Sequence, residues 1–114
     1  MACLFCRIVE GEIPSEKVYE DDDVLVIKDI QPQAPTHLLC LPKSHVESLA
    51  GLADERLAGK LLCVAARVAG DAGLTEGWWL IGNTGAHGGQ EVPHLHLHVL
   101  GGRPLGRMLP SSGS

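Results

Sequence analysis

The sequence predicts a single α+β domain in which a five-stranded antiparallel sheet is combined with one long and one short helix. Five short apolar segments are separated by turns, and one longer segment repeats apolar side chains at helical spacing. The connections between them are mostly short, as in antiparallel α+β domains. A chain of 114 residues builds one hydrophobic core of ordinary size, so we expect no second domain.

The predicted strands are short apolar runs that end at glycine, proline or acidic turns. They lie at residues 17–20, 24–27, 37–41, 78–81 and 94–100. The acidic turn 21–23 precedes the second strand, and Pro42 ends the third because it lacks a backbone donor.

The long helix is predicted from about Asp54 to Asp71, with Gly73 as its C-terminal cap. Its apolar side chains form one stripe at helical period: Leu57, Leu61, Val64, Ala65, Val68 and Ala69. The short helix is predicted to begin at Ser44, because Ser44 and Glu47 have the spacing of a capping box.

Charge and hydropathy exclude several functional classes. The formal net charge of −5 gives no basic surface for long nucleic acid or an anionic membrane. The longest apolar run, residues 61–66, is far shorter than the ~20 residues that span a bilayer. The first residues lack the features of a secretory signal, so we expect a cytoplasmic protein whose four cysteines stay reduced or bind metal.

Three histidines alternate with apolar residues near the end of the chain. His94, His96 and His98 would share one face of a strand, while the leucines between them enter the core. Such a row can be solvated, can bind metal, or can be catalytic. Imidazole is neutral near pH 7 and attacks phosphorus well, and clustered imidazoles disfavour one another's protonation.

The residues around this row favour catalysis on a phosphate. Gly88 and Gly89, in the glycine-rich loop 85–90, would let backbone N–H groups approach an anion. Asn83 adds a neutral amide donor. Asp29, at the end of the second strand, offers a carboxylate for two ribose hydroxyls or serves only as a turn cap.

The segment 89–103, with the sequence GQEVPHLHLHVLGGR, resembles the signature of the histidine triad (HIT) family. Its final Gly-Gly-Arg is similar to the Hint-like nucleotide-binding branch of that family. Segments 12–14, 29–30, 32–37 and 42–45 also resemble family landmarks. The resemblance implies a HIT-like fold over residues 1–103, followed by a flexible tail at 104–114.

The resemblance also implies the roles of individual side chains. His96 would attack the α-phosphorus, His98 would donate to the phosphate, and His37 would orient the other ring nitrogen of His96. Nucleotide-binding positions carried over from the family, or placed beside them, are Phe5, Ile8, Asp29, Ile30, Asn83, Gly89, Gln90, Glu91, Val92 and His98.

The implied reaction is the hydrolysis of a purine nucleoside 5′-phosphoramidate through a covalent nucleotidyl-histidine on His96, with no cofactor required for catalysis. The implied assembly is a homodimer. Two alternatives remain open at this point. The first is a dinucleoside polyphosphate hydrolase or nucleotidyl transferase of the same family, and the second is an adaptor that binds nucleotide without turnover.

The Cys3-x-x-Cys6 pair has the spacing of half a tetrahedral zinc site. In some bacterial members of the family, the histidines at the positions of His45 and His94 complete it, which implies a structural zinc ion here. The alternatives are free thiols or an oxidised pair. We interpret Cys40 and Cys63 as core residues.

Two departures from the family pattern concern the leaving group. Glu91 stands where many relatives have a small hydroxyl residue. A protonated, buried carboxyl there would serve as the acid for the departing amine, whereas an exposed one would only face solvent. The tail also lacks a tryptophan that shapes substrate choice in some relatives.

Overall fold

The computed structural model describes residues 3–109, so residues 1–2 and part of the predicted tail, 110–114, lie outside the described residues. The helices are α1 (Leu4–Val9) and α2 (Glu55–Asp71), with a 3₁₀ turn at Leu49–Gly51. The strands are β1 (Lys17–Glu20), β2 (Val24–Lys28), β3 (Thr36–Pro42), β4 (Trp78–Gly82) and β5 (Leu97–Gly101). No helix among residues 3–109 is both long and apolar enough to cross a membrane.

The five strands form one antiparallel sheet in the order β1-β2-β3-β5-β4. β5 therefore lies between β3 and β4, and His98 pairs with Leu39 on one side and with Ile81 on the other. This central position fixes the backbone of His98 by ladders on both edges. The predicted antiparallel α+β fold is confirmed.

The two faces of the sheet are covered by different helices. Alternate residues of β2, β3 and β5 pack with α2 into the larger core, which comprises Val24, Val26, Leu38, Cys40, Leu61, Val64, Ala65, Val68, Ala69, Leu95, Leu97 and Val99. The other face packs against α1 through a smaller cluster of Phe5, Ile8, Leu25, Ile27, Leu39 and Leu41. His98 points to this second face, because Leu97 and Val99 occupy the first.

α2 matches its prediction closely. The carboxylate of Asp54 accepts hydrogen bonds from the N–H groups of Arg56 and Leu57, and Gly73 follows the helix with a positive φ. Both caps satisfy backbone groups that the helix leaves unpaired. Cys63, however, is exposed on α2, so its interpretation as a core residue is wrong, whereas Cys40 is fully buried.

The short helix lies at α1 and not after Ser44. The segment after Ser44 is non-helical because its carbonyls are engaged elsewhere: Val46 accepts from the N–H of Leu95, and Glu47 accepts from the side chain of Gln90. Only the 3₁₀ turn follows, capped by Ser48. The N-terminal segment forms α1 instead, and the thiol of its N-cap residue Cys3 accepts from the N–H of Cys6 at 3.4 Å.

β5 begins at Leu97, so the prediction of a strand from His94 is wrong for its first three residues. The ladder to β3 ends at the Cys40–Leu97 pair. Beyond it, Pro42 has no N–H to donate, and its carbonyl accepts instead from Nε2 of His94 at 2.8 Å. The three histidines therefore do not form a regular row on one strand.

Candidate active site and metal-binding cluster

A cavity of about 430 Å³ opens on the α1 face of the sheet. It is enclosed by α1, by the ends of β2 and β3, and by the loop that precedes β5. Its lining includes most of the side chains that the sequence analysis selected, namely Phe5, Ile8, Asp29, Ile30, Asn83, Gly89, Glu91, Val92, His96 and His98.

The orientation of His96 is set by a backbone acceptor. Its Nδ1 lies 2.8 Å from the carbonyl oxygen of His94. A carbonyl oxygen only accepts, so Nδ1 carries the proton and Nε2 keeps its lone pair. The ring lines the cavity and is 9% exposed. The backbone acceptor therefore fixes this ring so that Nε2 faces the cavity.

His98 and His37 form a hydrogen-bonded pair whose tautomers follow from the backbone. The N–H of Gln33 donates to Nδ1 of His37 at 3.0 Å, so the His37 proton lies on Nε2. That Nε2–H lies 2.9 Å from Nδ1 of His98, which must accept. The proton of His98 is thus on Nε2, and the ring presents a donor to a ligand in the cavity.

This arrangement differs from the predicted role of His37. The other ring nitrogen of His96 bonds to the His94 carbonyl, and His37 contacts His98 instead. The rings of His96 and His98 are also in contact, with centroids 5.0 Å apart.

Burial keeps the hydrogen-bonded pair of His37 and His98 neutral. Burial, together with the neighbouring rings of His96 and His37, lowers the pKa of His98 to about 4, against the opposing effect of Asp29. Burial also lowers the pKa of His37, again opposed by Asp29. A neutral His98 gives a hydrogen bond from a single defined tautomer.

Asp29 lies beside His37 and also lines the cavity. Its Oδ1 accepts from the N–H of Gln31 at 2.8 Å, and its Oδ2 lies 3.4 Å from Nε2 of His37. A carboxylate has about four acceptor positions, so lone pairs remain for ligand hydroxyls. Both the turn-capping and the ligand-facing interpretations of Asp29 are therefore compatible with its geometry.

The glycine-rich loop does not form the predicted phosphate cradle with the N–H groups of its glycines. The N–H groups of Gly88, Gly89 and Gln90 each donate to a carbonyl within the loop, at 3.1–3.2 Å. Gly88 is required sterically, since a Cβ there would lie 2.3 Å from the carbonyl oxygen of Thr84. The loop is thus a self-bonded turn, as tight glycine turns are.

Gln90 and Asn83 bond mainly to this loop. Gln90 accepts from the N–H of Gly85 and donates to the carbonyls of Glu47 and Val92, so it does not line the cavity. The Asn83 amide donates to the carbonyl of Gly88 at 2.7 Å while the residue still lines the cavity.

The remaining predicted positions lie at the wall and the rim. Phe5 and Ile8 are buried and form an apolar wall, and Ile30 is 93% exposed at the rim. Glu91 is exposed, so the burial that an acid role would require is absent. His87 is exposed in the loop.

Residues of the N-terminal segment line the cavity without having been predicted. They are Leu4, Ile13, Pro14 and Ser15, together with Lys28. The sequence pattern did not predict α1, which is the helix that places Leu4 at the cavity beside Phe5. Ser15 is notable because its Oγ is buried without a hydrogen-bond partner.

Four side chains next to the cavity form a cluster suited to a metal ion. The donor atoms of Cys3, Cys6, His45 and His94 lie within 4.8 Å of one another. Nδ1 of His94 is 3.3 Å from Sγ of Cys3, and Nδ1 of His45 is 3.3 Å from Sγ of Cys6. Sulfur and nitrogen ligands of a tetrahedral zinc ion would be about 3.5 Å apart, so the donor set fits zinc.

The tautomer of His94 also fits a metal ligand. Its Nε2 donates to the carbonyl of Pro42, which leaves the lone pair of Nδ1 facing the two sulfur atoms. Metal-ligating histidines are commonly oriented in this way by a second hydrogen bond.

A second group, Asp29, His37 and His98, also places three donor atoms within 4.8 Å. The His37 and His98 nitrogens that face each other are already hydrogen-bonded, because Gln33 forces the His37 proton onto Nε2 and this proton is donated to Nδ1 of His98. That proton occupies the position where a metal ion would bind. The hydrogen bonding of these residues therefore does not favour a metal ion.

The low pKa of His98 predicts a dependence of stability on pH. The unfolded chain binds a proton at this histidine near its ordinary pKa of about 6.5, whereas the folded chain does so only near 4. The contribution of neutral His98 to the free energy of unfolding should therefore reach its full value above about pH 6.5. The free energy of unfolding should decrease as the pH falls towards 4. Urea denaturation at pH 7.5, 6 and 5 measures it.

His98→Gln should weaken this dependence, while His87→Gln, at an exposed loop position, should not. An equal loss of stability with falling pH in wild type and His98→Gln would contradict the prediction.

Several known proteins are similar to this chain in sequence and in architecture. The family model of the HIT domain matches residues 10–105. Purine nucleoside phosphoramidase of Escherichia coli (strain K12) is 47% identical over 113 residues, which cover 96% of this chain and 95% of the relative. Protein HitA of Neisseria gonorrhoeae is 48% identical over 101 residues, which cover 87% and 94% of the two chains.

Solved structures of histidine triad proteins also superpose closely on this chain. A histidine triad protein from Clostridium difficile superposes with a TM-score of 0.90 at 44% identity, covering 96% of this chain and 97% of that chain. A HIT family hydrolase from Legionella pneumophila gives 0.89 at 45% identity, covering 92% and 96%. The chain belongs to the HIT domain family.

Proposed function

We propose that this protein is a purine nucleoside phosphoramidase, a hydrolase of the P–N bond in nucleoside 5′-phosphoramidates. The observation that carries the proposal is the paired tautomers of the site: His96 keeps a lone pair on Nε2, and His98 offers an N–H on Nε2 in the same cavity. A nucleophile beside a neutral donor suits attack on a phosphorus atom.

In the first step, Nε2 of His96 forms a bond to the α-phosphorus while the P–N bond breaks. The amine leaves with the electron pair of that bond and takes up a proton. His98 donates to a phosphate oxygen, and the His94 carbonyl holds the Nδ1–H of His96 as the ring becomes cationic. In the second step, water attacks the phosphorus, the bond between phosphorus and Nε2 of His96 breaks, and the nucleoside monophosphate is released. The proton lost by this water goes to the solvent and balances the proton that the amine took from the solvent in the first step.

The ends of the cavity match the other parts of such a substrate. The apolar wall of Phe5 and Ile8 would stack against the base, with Ile30 covering it from the rim. Asp29 would accept hydrogen bonds from the ribose hydroxyls. Glu91 and Val92 would lie near the leaving group, and Gly89 and Asn83 near the phosphate. Gln90 would act indirectly, by holding the loop.

The His96→Ala variant tests the nucleophile. We expect it to lose turnover of adenosine monophosphoramidate by a factor of more than ~10³ while binding adenosine monophosphate within a few-fold of wild type. Mass spectrometry of wild-type protein quenched during turnover should show a nucleotidyl adduct on the peptide that contains His96. Undiminished turnover in His96→Ala would contradict the proposal, and binding without turnover in wild type would favour an adaptor.

We also propose that Cys3, Cys6, His45 and His94 hold a structural zinc ion. The support is the Cys₂His₂ donor set, the two 3.3 Å sulfur–nitrogen distances and the backbone hydrogen bond that orients His94. Zinc bound there would cross-link α1 to the segments that carry the two histidines.

Metal analysis tests this site. We expect close to one zinc ion per chain in protein purified without chelator, because closed tetrahedral sites bind zinc tightly. Cys6→Ser should lose the metal, whereas Cys63→Ser, at an exposed cysteine of α2, should keep it. Less than about 0.3 zinc per chain in wild type, after zinc has been supplied, would contradict the proposal.

We infer a homodimer in a reducing compartment such as the cytoplasm. β4 is an edge strand of the sheet and carries Trp78, Trp79 and Leu80, the last 37% exposed. Apolar edge strands are normally paired or covered. All four cysteines are free thiols, which fits a reducing environment.

Light scattering after size-exclusion chromatography tests the assembly. Wild type should elute with the mass of two chains, and Leu80→Lys should shift it towards one chain because a buried edge lysine is costly. Leu49→Lys, 53% exposed and outside β4, serves as the control. A monomeric wild type would contradict the dimer.

A further inference from the structure

His94 belongs both to the metal-binding cluster and to the catalytic site. Its side chain lies 3.3 Å from Sγ of Cys3 and 3.6 Å from Sγ of Cys6. Its carbonyl oxygen, in the same residue, holds Nδ1 of His96 at 2.8 Å. The residue is fully buried, so its side chain and its carbonyl are positioned together.

Phe5 provides a second connection between the two sites. It lies on α1 between Cys3 and Cys6, and its ring meets the rings of His94 and His96 edge to face, with centroids 5.8 and 5.0 Å apart. Phe5 also lines the substrate cavity. The position of α1 therefore determines both a contact of the nucleophile and the apolar wall.

α1 depends on the cluster for its own stability. A helix of six residues is far shorter than the ~12–15 residues that an isolated helix needs in water. Its first turn is joined to the rest of the protein by Cys3 and Cys6, which contact His94 and His45. Without these contacts, the packing of Phe5 and Ile8 would have to hold α1 alone.

We propose that Cys3, Cys6 and His45 are positioning residues for the nucleophile, so that an assembled cluster sets the orientation of His96. This inference rests on the proposed phosphoramidase activity and on the proposed zinc site. The cluster acts through His94 and Phe5 and takes no part in bond making or breaking. Loss of the metal displaces α1 and relaxes the His94 carbonyl.

The expected effect has two components. Misplacing a nucleophile by about 1 Å costs on the order of a hundredfold in rate, so partial release of His96 should lower kcat about ten- to a hundredfold. Displacement of α1 removes part of the base wall, so KM should rise as well. A cluster that only stabilised the fold would change the melting temperature and leave both constants unaltered at a temperature where the protein is folded.

His45 is the most informative position for the test. It is exposed, lies outside the lining of the catalytic cavity, and contacts Cys6 and the edge of the His94 ring. His45→Ala should lose zinc, lower kcat and raise KM. His87→Ala, an exposed histidine of the glycine-rich loop, is the matched control and should keep all three values.

Two further measurements test the inference without depending only on enzyme activity. In ¹⁵N-labelled protein, the Nδ1–H proton of His96 should give a slowly exchanging, downfield NMR resonance in wild type, which His45→Ala should broaden or shift. His45→Cys restores four donors as a Cys₃His set, so it should recover zinc, the resonance and kcat together.

The outcomes are distinguishable from failure of the two underlying proposals. Zinc-free wild type would overturn the zinc site, and an active His96→Ala would overturn the proposed reaction. If wild type holds zinc and turns over substrate, but His45→Ala loses zinc while keeping kcat, KM and the resonance, the positioning inference is overturned. Recovery of zinc without kcat in His45→Cys would overturn it too.

Discussion

The hydrogen bond between Nδ1 of His96 and the carbonyl of His94 is the interaction on which the proposed chemistry depends. It places the ring proton on Nδ1 and leaves Nε2 to act as the proposed nucleophile. Because the acceptor is a backbone group, only the path of the chain can alter this assignment. That path is set by the break in the β3–β5 ladder after the Cys40–Leu97 pair, beyond which the His94 side chain donates to the carbonyl of Pro42.

The same break explains what the sequence pattern could and could not predict. Alternation correctly placed Leu95, Leu97 and Val99 in the core, because burial of apolar side chains obeys a period of two even where the ladder is irregular. The pattern could not show that the ladder stops at Cys40, because that depends on a proline of another strand. The sequence was sufficient to select His96 and His98, which line one cavity, but not to predict their hydrogen-bond partners.

α1 and the segment after Ser44 both show that local sequence signals can be overridden by tertiary contacts. A capping-box spacing at Ser44 and Glu47 was overridden because tertiary hydrogen bonds hold that segment extended. A helix formed at Leu4–Val9 without a strong local signal, because Phe5 and Ile8 fill the second face of the sheet and Cys3 caps the first turn. By contrast, α2 carries its own caps and apolar stripe, so its bounds were predictable to within one residue at the N-terminus.

The charges around the cavity favour a phosphoramidate, the substrate class proposed above, over a polyphosphate. The end of the cavity proposed to bind the phosphate is lined by the neutral imidazole of His98, whose pKa burial lowers to about 4. Beyond Glu91, a second depression is lined by carboxylates from Glu10, Glu12 and Glu47 and by Arg7, which pairs with Glu12, so the charge of its lining stays negative. An additional phosphate extending in that direction would meet this negative charge, whereas the amine of the proposed substrate would not. A single phosphate can be held by hydrogen bonds from neutral donors, and the apolar wall of the cavity would then contribute to binding the proposed nucleotide.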